Sequence, residues 1–281
     1  MFVGIDIGGS KTLIARLDND GVIIASEKFP TSKDYDEFVK DLAHCLPKLG
    51  KADYTAGTVA VPGRIDRDHG IGLVFGNLPW RNVPLQADVE RLLHCPILLE
   101  HDPSLAALSE AMLLKDKYKK VLYITVSTGI GAGLIINGKI DEEFAGSEAG
   151  QIILEHQGKH LSWESFASGK AIYEHYGTEA HNITDEAAWR RIGRNIATGL
   201  TALLALTEPD VVVIGGSIGT YFDHYKEFLV AALHQYELPL VPIPPIQAAA
   251  RPEQAVVYGC YDLAKSCYGS PKKEPASGNV R

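Results

Sequence analysis

The feature of this sequence that most restricts its fold is a repeated unit of apolar strand, glycine turn, strand and Asx-Gly turn, met near residue 4 and again near residue 122. In the first copy Phe2 to Ile7 reads as a short strand, Gly8 to Lys11 as a turn, and Thr12 to Leu17 as a second strand. Asp20-Gly21 is then the tight turn into Val22 to Lys28. In the second copy Val121 to Val126, a turn over Ser127 to Gly133, Leu134 to Ile136 and Asn137-Gly138 follow in the same order. The two copies share little residue identity, so what repeats is the pattern. Around them helix and strand alternate: helical Asp34 to Leu49, strand Thr55 to Val61, helical Leu85 to Leu93, strand Pro96 to Glu100, helical Pro103 to Leu114. Asp102 is read as the N-cap of that last helix, with Pro103 at its first position. Further on, Glu186 to Leu206 is a long helix and Val211 to Ile214 a buried strand, with helices over Tyr225 to His234 and Ala255 to Lys265. Two related α/β domains with a cleft between them are expected, and 281 residues suffice for two cores at about 150 residues per domain.

Composition narrows what such a protein does. A formal charge of -8 argues against a nucleic-acid surface as the main function. Four scattered cysteines, with no CxxC pair, point to reduced thiols in a cytoplasm. The start MFVGIDIGGSKT lacks the basic, longer apolar run of a signal peptide, and no stretch of about 18 apolar residues predicts a membrane span. The polar segment from Ser270 to Arg281 is expected to be mobile.

Three glycine elements carry candidate chemistry. In Asp6-Ile7-Gly8-Gly9-Ser10-Lys11-Thr12 an acidic residue at a strand end precedes a turn whose amides can approach a phosphate. A carboxylate there repels phosphate unless a cation intervenes, so Asp6 suits a hydrated Mg2+. Ser127-Thr128-Gly129-Ile130-Gly131-Ala132-Gly133 is a second phosphate-binding candidate. It is not a dinucleotide fingerprint, because a strand and not a helix follows it. Ile214-Gly215-Gly216-Ser217 offers backbone against which a base or ribose can lie flat. Taken singly each signal is weak, and the first is better explained by an ordinary hairpin with a glycine turn.

In this order and spacing the three elements resemble the ROK family of sugar kinases and sugar-responsive repressors, in the actin-like ATPase and hexokinase superfamily, over roughly residues 1 to 265. The resemblance implies a two-domain actin-like, ribonuclease H-like α/β fold of duplicated βββαβαβα-type domains. Residues 1–115 joined by helix 255–266 form one domain, 116–254 the other, and 268–281 a mobile tail. Asp6, Gly8, Gly9, Ser10, Lys11 and Thr12 stand at the family's first phosphate loop, Thr128, Gly129 and Gly131 at its second, and Gly215 and Gly216 at its adenosine-side turn. Glu100-His101-Asp102 occupies the place of the family's sugar-binding Asn and catalytic Asp, so Asp102 is the expected general base, accepting the proton of the attacking hydroxyl. Gly63, Arg64, Asn77, His101, Glu148, Gln151 and Glu164 make up the implied sugar side, where carboxylates and amides suit a polyol.

The implied activity is phosphoryl transfer from ATP with Mg2+ to a hexose hydroxyl. Glucose comes first, then fructose, mannose or an N-acetylhexosamine, with polyphosphate as an alternative donor. A cytoplasmic homodimer is implied as well, and the lack of a winged helix favours the kinase branch over the repressors. Departures from the family pattern are Thr201 for the signature Asn, His101 for Asn, and Gln151 for a His that elsewhere joins a CxCGxxGC cluster on zinc. That cluster is missing, and His156 and His160, read at helical spacing, do not rebuild it, so no structural zinc is expected. A non-catalytic sugar sensor, and an ATPase or phosphatase of the same superfamily, are the competing readings.

Overall fold

The computed structural model describes residues 1–236, 239–252 and 254–269. The expectation of a mobile segment from Ser270 onward lies outside the described residues. Strands β1 (Phe2–Ile7), β2 (Lys11–Leu17) and β3 (Ile23–Pro30) form an antiparallel meander, and helix α1 (Tyr35–Cys45) leads to β4 (Ala56–Val61), parallel to β1. A separate three-stranded sheet of β5 (Gly63–Asp66), β6 (Ile71–Phe75) and β7 (Arg81–Val83) follows. Helix α2 (Leu85–Leu93) then leads to β8 (Ile97–His101), parallel to β4, completing a sheet ordered β3-β2-β1-β4-β8.

Helix α3 (Asp102–Leu114) crosses to the second half, where β9 (Lys120–Val126), β10 (Ile130–Ile136) and β11 (Lys139–Ile140) form another meander. A hairpin of β12 (Ile153–His156) and β13 (Lys159–Ser162) precedes α4 (Glu164–Ala167), α5 (Gly169–Tyr176) and the long α6 (Glu186–Thr207). Strand β14 (Val211–Gly215) lies parallel to β9. After α7 (Gly216–Gly219) and α8 (Phe222–His234), β15 (Ile246–Ala248) lies parallel to β14. The resulting order, β11-β10-β9-β14-β15, repeats the first sheet strand for strand. Helix α9 (Ala255–Tyr268) ends the described chain.

Two helices form the middle layer. One face of the first sheet (Val3, Ile5, Ile7, Ile14) packs on Phe38 and Leu42 of α1 and Val89 of α2. Its other face, through Phe2 and Ala15, meets Val257 and Tyr261 of α9. The second sheet packs Leu122 and Ile124 against Ile192 and Leu200 of α6, and turns Val121 and Tyr123 toward Ala107 and Ala111 of α3. Helix α3 is therefore buried from Pro103 to Ala111, as its mostly apolar sequence requires. It crosses α9 so closely that a Cβ on Gly259 would overlap the Leu105 carbonyl. Glu110 of α3 receives the amides of Ala250 and Arg251 at 2.8 and 2.7 Å, fixing the chain on its way into α9.

Three sequence expectations are corrected here. The second glycine turn is only Ser127 to Gly129, because β10 begins at Ile130. Gly131 and Gly133 are strand residues on which α3 lies: a Cβ would meet Pro103 Cγ or Ala107 Cβ at 2.6 Å. Asp102 is the first helical residue and not the cap; His101 caps α3, with extended backbone and no side-chain capping bond. His156 and His160 lie on the two arms of the β12–β13 hairpin and not on a helix.

Candidate active site

The two sheets present the ends of β1 and β9 to one cleft of about 1470 Å³, and both glycine turns open into it. From the first turn Asp6, Gly8 and Gly9 line the cleft. The turn is closed by Gly8 N donating to the Lys11 carbonyl at 3.0 Å. Ser10 and Lys11 are exposed outside this lining. Thr12 is fully buried and bonds the Thr31 hydroxyl at 2.9 Å, so its side chain faces the core and is not part of the cleft lining. The alternation of β2 turns Thr12 and Ile14 inward together, so a phosphate contact through the Thr12 side chain is not what this position offers.

The second turn contributes Ser127, Thr128 and Gly129, with Gly131 just beyond. Gly169 N donates to the Ser127 carbonyl at 2.6 Å, which holds the start of α5 against the turn. Of the third element Gly216 lines the cleft and sits at φ 77°, a left-handed conformation that favours glycine. Gly215 does not line it: the Tyr123 phenol occupies the space where a Cβ would stand, so this glycine serves internal packing. A smaller hollow of about 390 Å³ adjoins at Ser127, Thr128, Lys170 and Ser217, with Tyr173 and Tyr221 on its walls.

Asp102 stands where these parts meet. Its carboxyl is pushed up to about 8, first by loss of hydration in the cleft and then by the neighbouring charge of Asp6, with Glu148 adding to it. Asp6 is raised to about 6 by its own burial, with the Lys28 ammonium pulling the other way. His101 Nε2 lies 3.6 Å from Asp102 Oδ1. Burial, and then the Arg67 guanidinium, push this imidazole down to about 4, so it is neutral at physiological pH. Behind it Arg67 grips the buried Glu100 with two bonds, Nε at 2.9 Å and Nη2 at 2.5 Å, while Glu100 also accepts the His101 amide at 2.7 Å. This clamp fixes the strand end that delivers His101 and Asp102.

Gly63, Arg64 and Asn77 approach from the small sheet and the loop after β6, while Glu148, Gln151 and Glu164 approach from the other half of the chain. The β12–β13 hairpin brings Gln151 and Glu164 together across its base, where Trp163 N donates to the Ile152 carbonyl at 2.9 Å. Gln151 Nε2 donates to Glu164 Oε1 at 2.7 Å, and Ile130 N to Oε2 at 3.3 Å. Glu148 is raised by burial and then by Glu164, with Arg64 opposing. At the hairpin, His156 stacks on Phe166 with ring centroids 4.1 Å apart and His160 pairs in register with Glu155. Among the described residues no group of three or more His, Cys, Asp or Glu side chains is arranged to hold a metal, and no helix is long and apolar enough to cross a membrane.

Lys28, Lys33, Arg67, Tyr123 and Lys170 belong to the site or brace it without having been read from the sequence. Lys28 alone carried a signal: in register it lies opposite Leu13, which lies opposite Asp6, so the three share one face of the sheet.

The architecture is that of the actin-like ATPase class, two copies of one α/β sheet with a glycine turn from each lining one cleft. The chain belongs to the ROK family, whose model matches residues 2–267. It is 26% identical to a glucokinase of Streptomyces coelicolor over 315 residues, covering 94% of this chain and 97% of that one. It is 28% identical to an N-acetyl-D-glucosamine kinase of Shigella boydii over 287 residues, covering 89% and 94%. The fold superposes with a TM-score of 0.80 on a ROK family glucokinase from Streptomyces griseus in complex with glucose and AMPPNP, at 23% identity over 94% of this chain and 99% of that one.

Proposed function

We propose that the protein is an ATP- and Mg2+-dependent kinase of hexoses, with glucose the first substrate to test. The observation that carries this reading is that Asp102 shares one cleft with Asp6, both glycine turns, Asn77, Glu148 and Glu164, and lies near enough to Asp6 and Glu148 to feel the charge of each. Asp102 takes the proton from the attacking sugar hydroxyl as the new O–P bond forms. A carboxyl that titrates close to physiological pH is matched to this step: its ionised fraction is the acceptor, and it holds the transferred proton better than an ordinary carboxylate does.

Glu164, already oriented by Gln151 and the Ile130 amide, accepts from sugar hydroxyls together with Glu148. Neutral His101 offers the sugar a hydrogen bond without an ion pair that would quench the base. The amides of the two turns hold the phosphates, and the hollow beside Ser127 and Ser217 has the aromatic walls a nucleoside needs, which supports ATP over polyphosphate as donor.

Asp6 fits a hydrated Mg2+: it is a half-buried carboxylate lining the cleft beside the first glycine turn, and loss of hydration raises its pKa against the pull of Lys28, a cost that a bound cation would offset. The ion supplies charge neutralisation to the nucleotide phosphates when bound. Closure of two domains, residues 1–115 with helix 255–266 against 116–254, would exclude water as a competing nucleophile. The cytoplasmic location and the homodimer rest on the family resemblance alone.

The test is an ATP-consumption assay with Mg2+ over a panel of hexoses and N-acetylhexosamines, with a blank lacking sugar. Sugar-dependent turnover is expected. Hexose binding without turnover would favour a sensor, and turnover equal in the blank an ATPase.

A further inference from the structure

Lys33 lies in none of the glycine turns and in none of the polyol-binding groups, yet its ammonium touches both sides of the cleft wall. Nζ donates to the Gly9 carbonyl at 3.0 Å and to the Asn77 carbonyl at 2.9 Å. Gly9 belongs to the first phosphate turn and Asn77 to the sugar-side loop, and both line the cleft. The two are packed so tightly that a Cβ on Gly9 would meet Asn77 Cβ at 2.6 Å. An exposed lysine normally keeps its charge in water and its side chain free. This one is set by its backbone. The Lys33 carbonyl receives Trp80 Nε1 at 3.1 Å, Thr31 N donates to the Ser10 carbonyl at 3.0 Å, and Asp34 caps α1 through the Glu37 amide at 3.0 Å. Both partners of the ammonium are carbonyls and not carboxylates, so its bonds fix the distance between two loops and neutralise no charge.

We propose that Lys33 is a positioning residue that couples the nucleotide site to the sugar site by strapping the first phosphate turn to the Asn77 loop; this rests on the kinase reading above. Seating a nucleotide on the turn then orders Asn77 for the sugar, and seating the sugar orders the turn, because energetic coupling between two sites is reciprocal.

The experiment is calorimetric titration of glucose, with and without Mg2+ and a non-hydrolysable ATP analogue, for wild type, Lys33→Met and Lys33→Arg. In wild type the two glucose affinities are expected to differ at least about fivefold, the low end of site-to-site coupling. In Lys33→Met the ratio falls to within about twofold, and the sugar KM rises by a larger factor than kcat falls. Lys33→Arg keeps the ratio, since a guanidinium has donors for both carbonyls. All three are expected to melt within about 2 °C of one another, which separates the effect from unfolding. A wild-type ratio in Lys33→Met overturns the coupling role alone. Failure of the wild type to bind any hexose while still binding nucleotide overturns the kinase reading and the coupling with it.

Discussion

Replacing Asp102 with Asn should stabilise the ligand-free protein while abolishing its activity, and the stabilisation should depend on pH. The Asp102 carboxyl is pushed up from an ordinary 3.8 to about 8 in the fold. Between those values the folded chain holds a proton that the unfolded chain releases, so stability falls as pH rises through this window and the full penalty is present above it. Asn carries no such penalty. Undiscounted, a shift of this size would correspond to about 5–6 kcal/mol at about 1.4 kcal/mol per pH unit. About a third of the Asp102 side chain stays exposed to the cleft, 36%, and solvent screening reduces the effect to about 1–2 kcal/mol. For a chain of this size that is a rise of roughly 2–6 °C in melting temperature. The assay is thermal unfolding of wild type and Asp102→Asn in metal-free buffers from pH 4.5 to 9. The variant should be more stable above pH 8, with the advantage shrinking toward nothing at pH 4.5. A variant no more stable than wild type at pH 8.5, or one equally favoured at both ends, would refute the electrostatic account of the site.

Two further outcomes follow from the contacts around the base and the sugar wall. Arg67→Met leaves Glu100 buried without its partner; because Arg67 is itself 36% exposed, the expected loss is about 1–3 kcal/mol, below the cost of breaking a fully buried pair, and Arg67→Met with Glu100→Gln should recover part of it in denaturant titrations. Gly129→Ala puts a Cβ 2.8 Å from Glu164 Oε2, which must swing away and lose the Ile130 amide. The sugar KM should rise about tenfold, the worth of one charge-assisted hydrogen bond, with melting nearly unchanged. An unaltered sugar KM would mean that Glu164 does not touch the sugar.

The sequence made the scaffold legible where local chemistry was unambiguous. Glycines after the ends of β1 and β9 marked the turns, the Asx-Gly pairs marked the hairpins, and the apolar run before Asp102-Pro103 marked a strand entering a buried helix. The small sheet β5–β7 was not legible, because its strands are three to five residues long and only half-buried, with no clean alternation. Thr12 was assigned with the phosphate loop through the family resemblance, while its position in β2 turns its side chain into the core. Gly215 misled because a glycine needed by the Tyr123 phenol looks, in sequence, like one needed by a ligand. Lys33 and Arg67 could not be read at all: their partners lie 24, 44 and 33 residues away, and only the assembled fold brings them together.

The most direct test of the central claim is turnover by Asp102→Ala at saturating ATP, Mg2+ and the preferred hexose, with hexose affinity measured on the same preparation. Loss of the general base should reduce kcat at least about a hundredfold, while the sugar Kd stays within a few fold of wild type. Near-normal turnover in that variant would contradict the assignment of Asp102 as the base, and with it the mechanism built around this cleft.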